Sequence, residues 1–356
     1  MGVGPQDREH RMRRTRVAIL GAGNIGCYLG GWLAAAADVT LIGREARISA
    51  IARDGLTVTD LRGRSRTVRP ETLTLATDAS AVRGSDYVLL TTKTLGTTAA
   101  IAGAAPHLDQ DSIIVSFQNG IANADLIDEA LAPTFPSRAS RPLVLAGMVP
   151  FNVVAPEATS WLQTVSGRVR VKDHPRIDPF VRAAQGSGIR VDLEPDMRPV
   201  LWGKLLLNLN NAVNGLTGLP LAQQLRDRDA RMVLAGCQEE TLAVARRLGT
   251  QPARTSPLPP ALVPALLRSP TPVFAALSRS TLQVSPEARS SMAEDLDAGR
   301  PTEIREFQGT VAALGRAHGV PTPVCGRVVD LVREAETRGR ERTRWPGGRL
   351  RQAVGV

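Results

Sequence analysis

A glycine-rich turn near the start of the chain has the spacing of a dinucleotide-binding fingerprint. Residues 17–26 read VAILGAGNIG, so a short apolar run leads into Gly-x-Gly-x-x-Gly and then into an alanine- and leucine-rich stretch. Gly21 allows the tight bend, Gly23 lets the backbone approach a pyrophosphate, and Gly26 allows close packing of helix on strand. An ordinary glycine turn is the alternative. The residues that we predict to bind a dinucleotide through this turn are Gly21, Ala22, Gly23, Asn24, Ile25 and Gly26.

The residue at the end of the second predicted strand indicates which dinucleotide is bound. An NAD site places an acidic residue there, which accepts a hydrogen bond from the ribose 2′-hydroxyl. This chain instead has Arg44 after the run Val39–Ile42, followed by Glu45, whose side chain we expect to face solvent. A guanidinium suits a 2′-phosphate because it donates paired, charge-assisted hydrogen bonds. We therefore expect NADP (NADPH) as the cofactor.

Polar residues also follow two other strand-like runs, where an α/β sheet places its ligands. Lys93 comes just past the run 86–92, and Asn119 lies within the turn Gln118–Gly120 just past the run 113–117. These positions make Lys93 and Asn119 candidate ligand-binding residues.

A lysine and two asparagines share one face of a predicted helix in the second half of the chain. At 100° per residue, Lys204, Asn208 and Asn211 fall within about 60° of one another. Burying these groups in a leucine-rich helix is costly unless they serve a purpose. An ordinary solvated face is the alternative for such a stripe standing alone.

Two later segments begin predicted helices with polar residues. Ser291 opens one helix, and Thr302 and Glu303 open the next after the turn 298–301. Taken alone, Thr302 is typical of an N-cap and Glu303 of a first-turn acid that the helix dipole favours.

Behind these motifs, the distribution of apolar runs predicts two halves of different class. From Arg16 to about Ile189 short apolar runs alternate with helical or loop stretches, and from Met197 onward helical periodicity takes over. The predicted strands are Val17–Leu20, Val39–Ile42, Leu56–Thr59, Tyr87–Thr91, Ile113–Ser116, Leu143–Val149 and the run 188–191, and the predicted helices lie near 197–218, 224–248, 286–299 and 302–318. We therefore predict an α/β protein: an N-terminal Rossmann-type doubly wound sheet followed by an all-helical C-terminal domain. The expected boundaries are a basic N-terminal tail over 1–15, an NADP-binding domain over 16–194, a helical substrate and catalytic domain over 195–335, and a basic C-terminal tail over 336–356.

Composition limits the class of protein. A chain of 356 residues is long enough for two domains, and no apolar run approaches the ~20 residues of a membrane-spanning helix. The N-terminal segment lacks the apolar stretch and cleavage site of a secretory signal. Three widely separated cysteines indicate neither a disulfide framework nor a metal site. We expect a cytoplasmic protein without a membrane or metal partner.

The net charge of +10 is concentrated at the two ends of the chain. The segments 1–16 and 333–356 carry +7 of it, and only three of the 44 basic residues are lysines. A compositional bias toward arginine is the simplest explanation, and tails that touch an acidic partner are the alternative. Because no aromatic platform interleaves the arginines, the sequence argues against nucleic acid as a partner.

Taken together, these motifs resemble the ketopantoate reductase (2-dehydropantoate 2-reductase) family. The resemblance runs in order from Val17 to about Leu331. Its marks are the glycine fingerprint with Arg44, the strand-end Lys93, the turn Gln118–Gly120, the pattern W-x-K-L-x-x-N over 202–208, the pattern S-M-x-x-D-x-x-x-G-R-x-T-E-I over 291–304, and G-V-P-T-P over 319–323. It implies a 6-phosphogluconate-dehydrogenase-like fold. It also implies hydride transfer from NADPH to a small 2-oxo acid, such as ketopantoate in pantothenate and coenzyme A biosynthesis.

The resemblance also implies roles for individual residues. Lys204 would donate the proton to the developing alkoxide, since an ammonium both stabilises the negative charge and supplies the proton. Glu303 would pair with the lysine or the substrate hydroxyl. Ser291 would hold the substrate carboxylate or hydroxyl, and Asn208 would contact substrate. Lys93 and Asn119 would lie at an interdomain cleft, near the ribose and nicotinamide.

The chain departs from the family pattern at two positions, and the first affects the expected substrate pocket. Many members carry a second asparagine where this chain has Ala212, so Asn211 or Asn214 could replace it, with a local shift of helix register. Gln308 stands before Gly309, where an asparagine is more usual. A reductase of another branched 2-oxo acid and a non-catalytic NADP-binding sensor are the alternative functions, and assembly as a homodimer stays open.

Overall fold

The computed structural model describes residues 14–255, 257–278 and 288–356. The chain divides into two compact units, the first ending at Met197 and the second beginning at Arg198. Residues 1–13, which make up most of the expected N-terminal tail, lie outside the described residues. Of that tail, the Arg14 guanidinium donates to the carbonyls of Ala34 and Ala37 at 3.1 Å.

The first unit contains an eight-stranded sheet. Its strands, in spatial order, are β12 (Val191–Glu194), β11 (Val169–Lys172), β8 (Leu143–Met148), β7 (Ile113–Ser116), β6 (Tyr87–Leu90), β1 (Thr15–Leu20), β2 (Ala37–Ile42) and β5 (Thr74–Ala76). All neighbouring pairs are parallel except β11 with β8. Every residue of β6 and β7 is buried, as expected for parallel strands covered on both faces.

Helices cover both faces of this sheet, and β1 shows how the sequence divides between them. Val17 and Ile19 belong to one buried cluster, while Ala18 and Leu20 belong to another, because successive side chains of a strand point to opposite faces. The helices of this unit are α1 (Asn24–Leu33), α2 (Glu45–Asp54), α3 (Thr97–Ala104), α4 (Asn123–Leu131) and α5 (Asp178–Ser187). The predicted doubly wound sheet is therefore confirmed.

A second, four-stranded sheet was not predicted. Its order is β4 (Ser65–Val68), β3 (Leu56–Thr59), β10 (Ser160–Gln163) and β9 (Val153–Glu157). The predicted strand Leu56–Thr59 exists, but it pairs here and not in the main sheet. Most residues of β4 are not buried, so its hydrophobic signal is weak. The fully buried Trp161 of β10 provides much of this sheet's packing.

The second unit contains no strand among its described residues. Its helices are α6 (Met197–Asn208), α7 (Asn210–Thr217), α8 (Leu221–Arg226), α9 (Arg228–Arg247), α10 (Val263–Arg268), α11 (Thr271–Ser278), α12 (Ser291–Asp297), α13 (Thr310–His318), α14 (Pro323–Arg338) and α15 (Gly347–Val354), with a π turn over Arg305–Gly309. The predicted helix 197–218 is interrupted at Leu209, and the start of the predicted helix 286–299 lies outside the described residues. In the parts of the chain that the structure describes, no helix has the length and hydropathy to cross a bilayer.

The C-terminal segment differs from the basic tail expected over 336–356. Helix α14 continues to Arg338, and α15 packs against α9. Leu350 and Val354 of α15 are buried because residues four apart share one helix face, and the arginines occupy the rest of the surface. The backbone N–H of Trp345 donates to the Leu216 carbonyl at 2.9 Å, which ties this segment to α7.

Candidate functional site

A side chain at a fingerprint glycine would either clash with neighbouring atoms or occupy open space beside the turn. Gly21 has φ +119°, and a Cβ there would lie 2.6 Å from the backbone nitrogen of Thr92. A Cβ on Gly26 would lie 2.2 Å from the Gly21 carbonyl oxygen. No described atom lies within 4 Å of the Cβ position at Gly23, which leaves open space for a phosphate. The three glycines therefore have the three properties that the motif predicts.

The turn is anchored to the neighbouring strand ends. The N–H groups of Gly21 and Ala22 both donate to the Ile42 carbonyl, at 3.0 and 2.9 Å. The Thr91 hydroxyl donates to the Gly21 carbonyl at 2.7 Å. Helix α1 then begins at Asn24 without a side-chain cap, so its first amides are open to an anion. The exposed Asn24 donates to the Val153 carbonyl at 3.2 Å, whereas Ile25 packs against the core.

Arg44 lies directly after β2, at the N-cap position of α2, and its side chain is exposed. Its guanidinium has no hydrogen bond or ion pair with any residue in the described ranges. Glu45 accepts a hydrogen bond from the Ser49 hydroxyl at 2.7 Å, so it is engaged within α2. Arg47 is occupied as well, since it donates to the Ala158 carbonyl at 2.6 Å and lies over the Trp161 ring. Of the two arginines at the start of α2, Arg44 is therefore the one whose guanidinium is open to a ligand.

Lys93 and Asn119 lie in two loops that are joined to each other. The Thr94 hydroxyl donates to the Asn119 carbonyl at 2.9 Å, and Lys93 itself is exposed. The buried Gln118 amide donates to the Thr92 carbonyl at 2.9 Å and to the Thr97 hydroxyl at 2.7 Å. Gln118 therefore holds the two loops together, a role that its sequence motif did not reveal.

Lys204 lies on α6 in the second unit, where its surroundings limit its contact with water. Trp202 and Leu205 beside it are buried. A Cβ on Gly203 would lie 2.5 Å from the Ala253 carbonyl oxygen, so the 251–255 loop crosses the helix next to the lysine. Desolvation lowers the pKa of the Lys204 ammonium from 10.5 to about 8. The lysine can therefore exchange a proton near neutral pH. Gly203 permits this close approach, and sequence reasoning assigned it no role.

The asparagines after Lys204 have different surroundings. Asn208 is buried at the end of α6, and Asn211 is half-buried in α7. Asn214 is fully buried; its Oδ1 accepts from the Ser290 N–H at 2.9 Å, and its Nδ2 donates to the Leu219 carbonyl at 2.8 Å. Asn214 is thus engaged in the fold at both ends of its amide, which favours Asn211 as the replacement for the asparagine missing at Ala212.

Ser291 and Glu303 begin the two segments expected from the sequence. Ser291 is exposed in the first turn of α12, which Ser290 caps by accepting from the Ala293 N–H at 3.2 Å. Thr302 accepts from the Ile304 N–H at 3.3 Å, in the manner of an N-cap. Glu303 is buried, and a π turn follows it. Burial, assisted by the charge of Glu303, raises the pKa of Glu306.

The two units offer complementary chemistry. The first has a phosphate-binding turn followed by an exposed guanidinium, and the second has an ammonium of lowered pKa, a buried carboxyl and amide side chains. Among residues 14–255, 257–278 and 288–356, no group of His, Cys, Asp or Glu is arranged to hold a metal ion. The arrangement is suited to binding a dinucleotide and to supplying a proton.

Comparisons with known proteins match both parts of the chain to one family. The protein-family model described as ketopantoate reductase PanE/ApbA matches residues 17–176. A second family model, described as ketopantoate reductase PanE/ApbA C terminal, matches residues 196–336. The 2-dehydropantoate 2-reductase of Mesorhizobium japonicum is 28% identical, over 89% of this chain and 97% of its own. A PanE/ApbA family ketopantoate reductase from Ralstonia eutropha JMP134 has a TM-score of 0.77 at 28% identity and covers 91% of this chain and 99% of its own.

A further similar structure is that of a different enzyme. It is a D-mandelate dehydrogenase with NADH and anilino(oxo)acetate, 20% identical, with a TM-score of 0.74. The match covers 91% of this chain and 99% of that one. At this identity the likeness shows the fold alone.

Proposed function

Because the chain belongs to the ketopantoate reductase family, we propose that it reduces a small 2-oxo acid with NADPH, with 2-dehydropantoate (ketopantoate) as the first candidate substrate and pantoate as the product. The members of this family are oxidoreductases that act on CH–OH donors. The observation that carries the proposal is Lys204, a desolvated ammonium with a pKa of about 8 within the family's W-x-K-L-x-x-N helix. Such a group can deliver a proton at the pH where the enzyme works.

The cofactor is a pyridine nucleotide, and we propose that the protein prefers NADPH to NADH. Its support is the exposed Arg44 at the end of β2, where an NAD site has an acidic residue. The D-mandelate dehydrogenase structure holds NADH, so NADH is the alternative cofactor. The residues proposed to hold the cofactor are the fingerprint Gly21–Gly26, Arg44, Lys93 and Asn119.

In the proposed mechanism, a bound nicotinamide supplies the hydride. The Lys204 ammonium stabilises the negative charge that develops on the ketone oxygen and then donates its proton to that oxygen. Glu303 orients the lysine or the substrate hydroxyl. Ser291, Asn208 and Asn211 bind the carboxylate and hydroxyl groups of the substrate through their hydroxyl and amide groups.

Steady-state oxidation of NADPH with a panel of 2-oxo acids tests this function. The panel contains ketopantoate, other branched 2-oxo acids and an aromatic 2-oxo acid, and the control is Lys204→Ala. We expect turnover of at least one branched 2-oxo acid that depends on Lys204. Absence of turnover with every acid, in protein that binds NADPH, would favour a non-catalytic NADP-binding sensor.

A second candidate substrate class has a specific observation in its favour. The buried Ala212 stands where many family members have an asparagine, and Asn214 is engaged elsewhere. A pocket in which Asn211 does not supply the missing amide fits a branched 2-oxo acid without the hydroxyl of ketopantoate. The ratio of kcat/KM for the two acids distinguishes these candidates. Assembly as a homodimer stays a prediction, which light scattering would test.

A further inference from the structure

Two buried glutamines bind the backbone where the Lys204 helix is interrupted. We call residues 206–210, which connect α6 to α7, the joint. The Gln308 side-chain amide donates to the Leu209 carbonyl at 2.7 Å, and the Gln238 amide donates to the Leu206 carbonyl at 3.1 Å. In an uninterrupted α-helix, the Leu206 carbonyl would accept from the N–H of Asn210. Side-chain amides from two other elements therefore donate to backbone acceptors at the joint.

The orientation of both amides follows from their partners. Each faces a backbone carbonyl, which can only accept, so the side-chain nitrogen must be the atom that points toward it. The opposite atom, Oε1 of Gln238 and of Gln308, is buried and has no hydrogen-bond partner among the described residues. An unsatisfied buried oxygen is unfavourable. Each glutamine is therefore oriented to donate at the joint, although this leaves its side-chain oxygen buried and unsatisfied.

The local backbone around Gln308 is also unusual. Gln308 lies in the π turn Arg305–Gly309, where the Gly309 N–H donates to the Ile304 carbonyl at 2.9 Å, five residues back. The extra residue in such a turn changes the face on which a side chain lies, and π turns are frequent at functional sites. Gln308 comes five residues after Glu303, and Leu209 comes five residues after Lys204. One hydrogen bond thus connects the segments that carry the two proposed catalytic residues.

We propose that Gln238 and Gln308 are positioning residues, which hold the joint open and thereby fix Asn208 and Asn211 relative to Lys204. The inference rests on the proposed function, because it concerns the residues assigned to substrate there. It follows that substrate binding responds to these glutamines although neither touches substrate.

Replacement of each glutamine by methionine removes the donor and keeps the approximate volume. For Gln308→Met and Gln238→Met we expect KM for the best 2-oxo acid to rise by about tenfold or more, with a smaller change in kcat. The Kd of NADPH should stay unchanged. The matched control is Thr241→Val, which removes a buried 2.7 Å hydrogen bond of α9 to the Cys237 carbonyl and no hydrogen bond to the joint. An equal rise of KM in the control would show a general structural effect and overturn the proposal.

A pH profile separates positioning from packing. In Gln308→Glu the carboxyl can donate to the Leu209 carbonyl only while it is protonated, and once ionised it repels that carbonyl. KM of this variant should therefore rise with pH over a range in which KM of the parent and of Gln308→Met is constant. A KM that does not depend on pH in Gln308→Glu would contradict the role of the donor.

The joint can also be tested without turnover. Crystal structures of the parent and of Gln308→Met should show the interruption at Leu209 in the parent and a more continuous helix over 197–217 in the variant. If no 2-oxo acid is reduced, the proposed function fails while this comparison still tests the joint. An unchanged interruption in Gln308→Met would overturn the inference even in an active enzyme.

Discussion

The Asn214 side chain accepts a hydrogen bond from the backbone N–H of Ser290, at 2.9 Å. This bond connects α7 with the residue that caps α12. The opposite end of the amide donates to the Leu219 carbonyl at 2.8 Å, and the side chain is fully buried. The first turn of α12, which carries Ser291, is therefore fixed to the helix that carries Asn211.

Asn214→Ala should reduce the free energy of unfolding by about 1–3 kcal/mol, because it leaves buried backbone groups without partners. Urea denaturation measures this change. The control is Asn211→Ala, on the same helix but half-buried, for which we expect a change within about 0.5 kcal/mol. A larger loss of stability in Asn211→Ala than in Asn214→Ala would contradict the assignment of the two residues.

Arg44→Ala should weaken the binding of NADPH by about 1–3 kcal/mol and leave the binding of NADH nearly unchanged, since only NADPH has a 2′-phosphate. Titration calorimetry with both cofactors measures the difference. Arg53→Ala, at the opposite end of α2, is the matched control and should affect neither. Equal affinities for the two cofactors in the parent protein would refute the preference for NADPH.

Lys204→Arg should retain NADPH binding but lose at least the ~10²-fold in kcat/KM that a positioned general acid contributes. A guanidinium keeps the charge but effectively cannot release a proton. Lys204→Ala should lose more, because the charge on the alkoxide is no longer stabilised. In the parent, kcat/KM should fall as the pH rises through about 8, where the ammonium is lost. Near-parental activity of Lys204→Arg would mean that another group supplies the proton.

Lys204→Met should stabilise the protein at neutral pH by about 1–3 kcal/mol while abolishing activity. The pKa of Lys204 is about 8 in the folded protein and 10.5 in the unfolded chain, so the unfolded chain binds more protons between these pH values. Stability of the parent should therefore increase with pH from about 8 to about 10.5, and the advantage of Lys204→Met should shrink over the same range. Denaturant titrations at several pH values measure this. Lys172→Met, which removes a hydrogen bond to the Pro195 carbonyl, should not stabilise the protein.

The three cysteines should not react in the native protein. Cys27, Cys237 and Cys325 are free and fully buried, and burial raises the pKa of the Cys27 thiol to about 12. Alkylation of native, NADPH-saturated enzyme should leave its activity unchanged. In denaturant all three should be labelled, as counted by mass spectrometry. Loss of activity with labelling of a single cysteine under native conditions would show that one of them is accessible and needed.

The sequence predicts the elements whose signal is local. Strands β6 and β7 are short continuous apolar runs, which is what complete burial in a parallel sheet requires. The fingerprint glycines likewise reveal their roles through spacing alone. The second sheet was not predicted, because β4 has little buried apolar surface and its pairing with β3 belongs to a separate sheet.

The candidate site shows a similar limit. The sequence leaves Asn211 and Asn214 as alternatives for the asparagine missing at Ala212, and only the tertiary partners of Asn214 show that it is engaged in the fold. The interruption at Leu209 is invisible to helical periodicity, since the glutamines that bind the joint come from α9 and from the π turn.

The packing of α15 against α9 also affects when, during synthesis, the second unit can finish folding. The first unit can fold once its residues have emerged, since domains fold as units from the N-terminus. The second unit cannot close its core until Leu350 has been synthesised, because that side chain is fully buried in a helix packed on one made much earlier. Until then, the nascent chain exposes the apolar face of α9. Chaperones that bind nascent chains should therefore remain on the second unit after the first has folded.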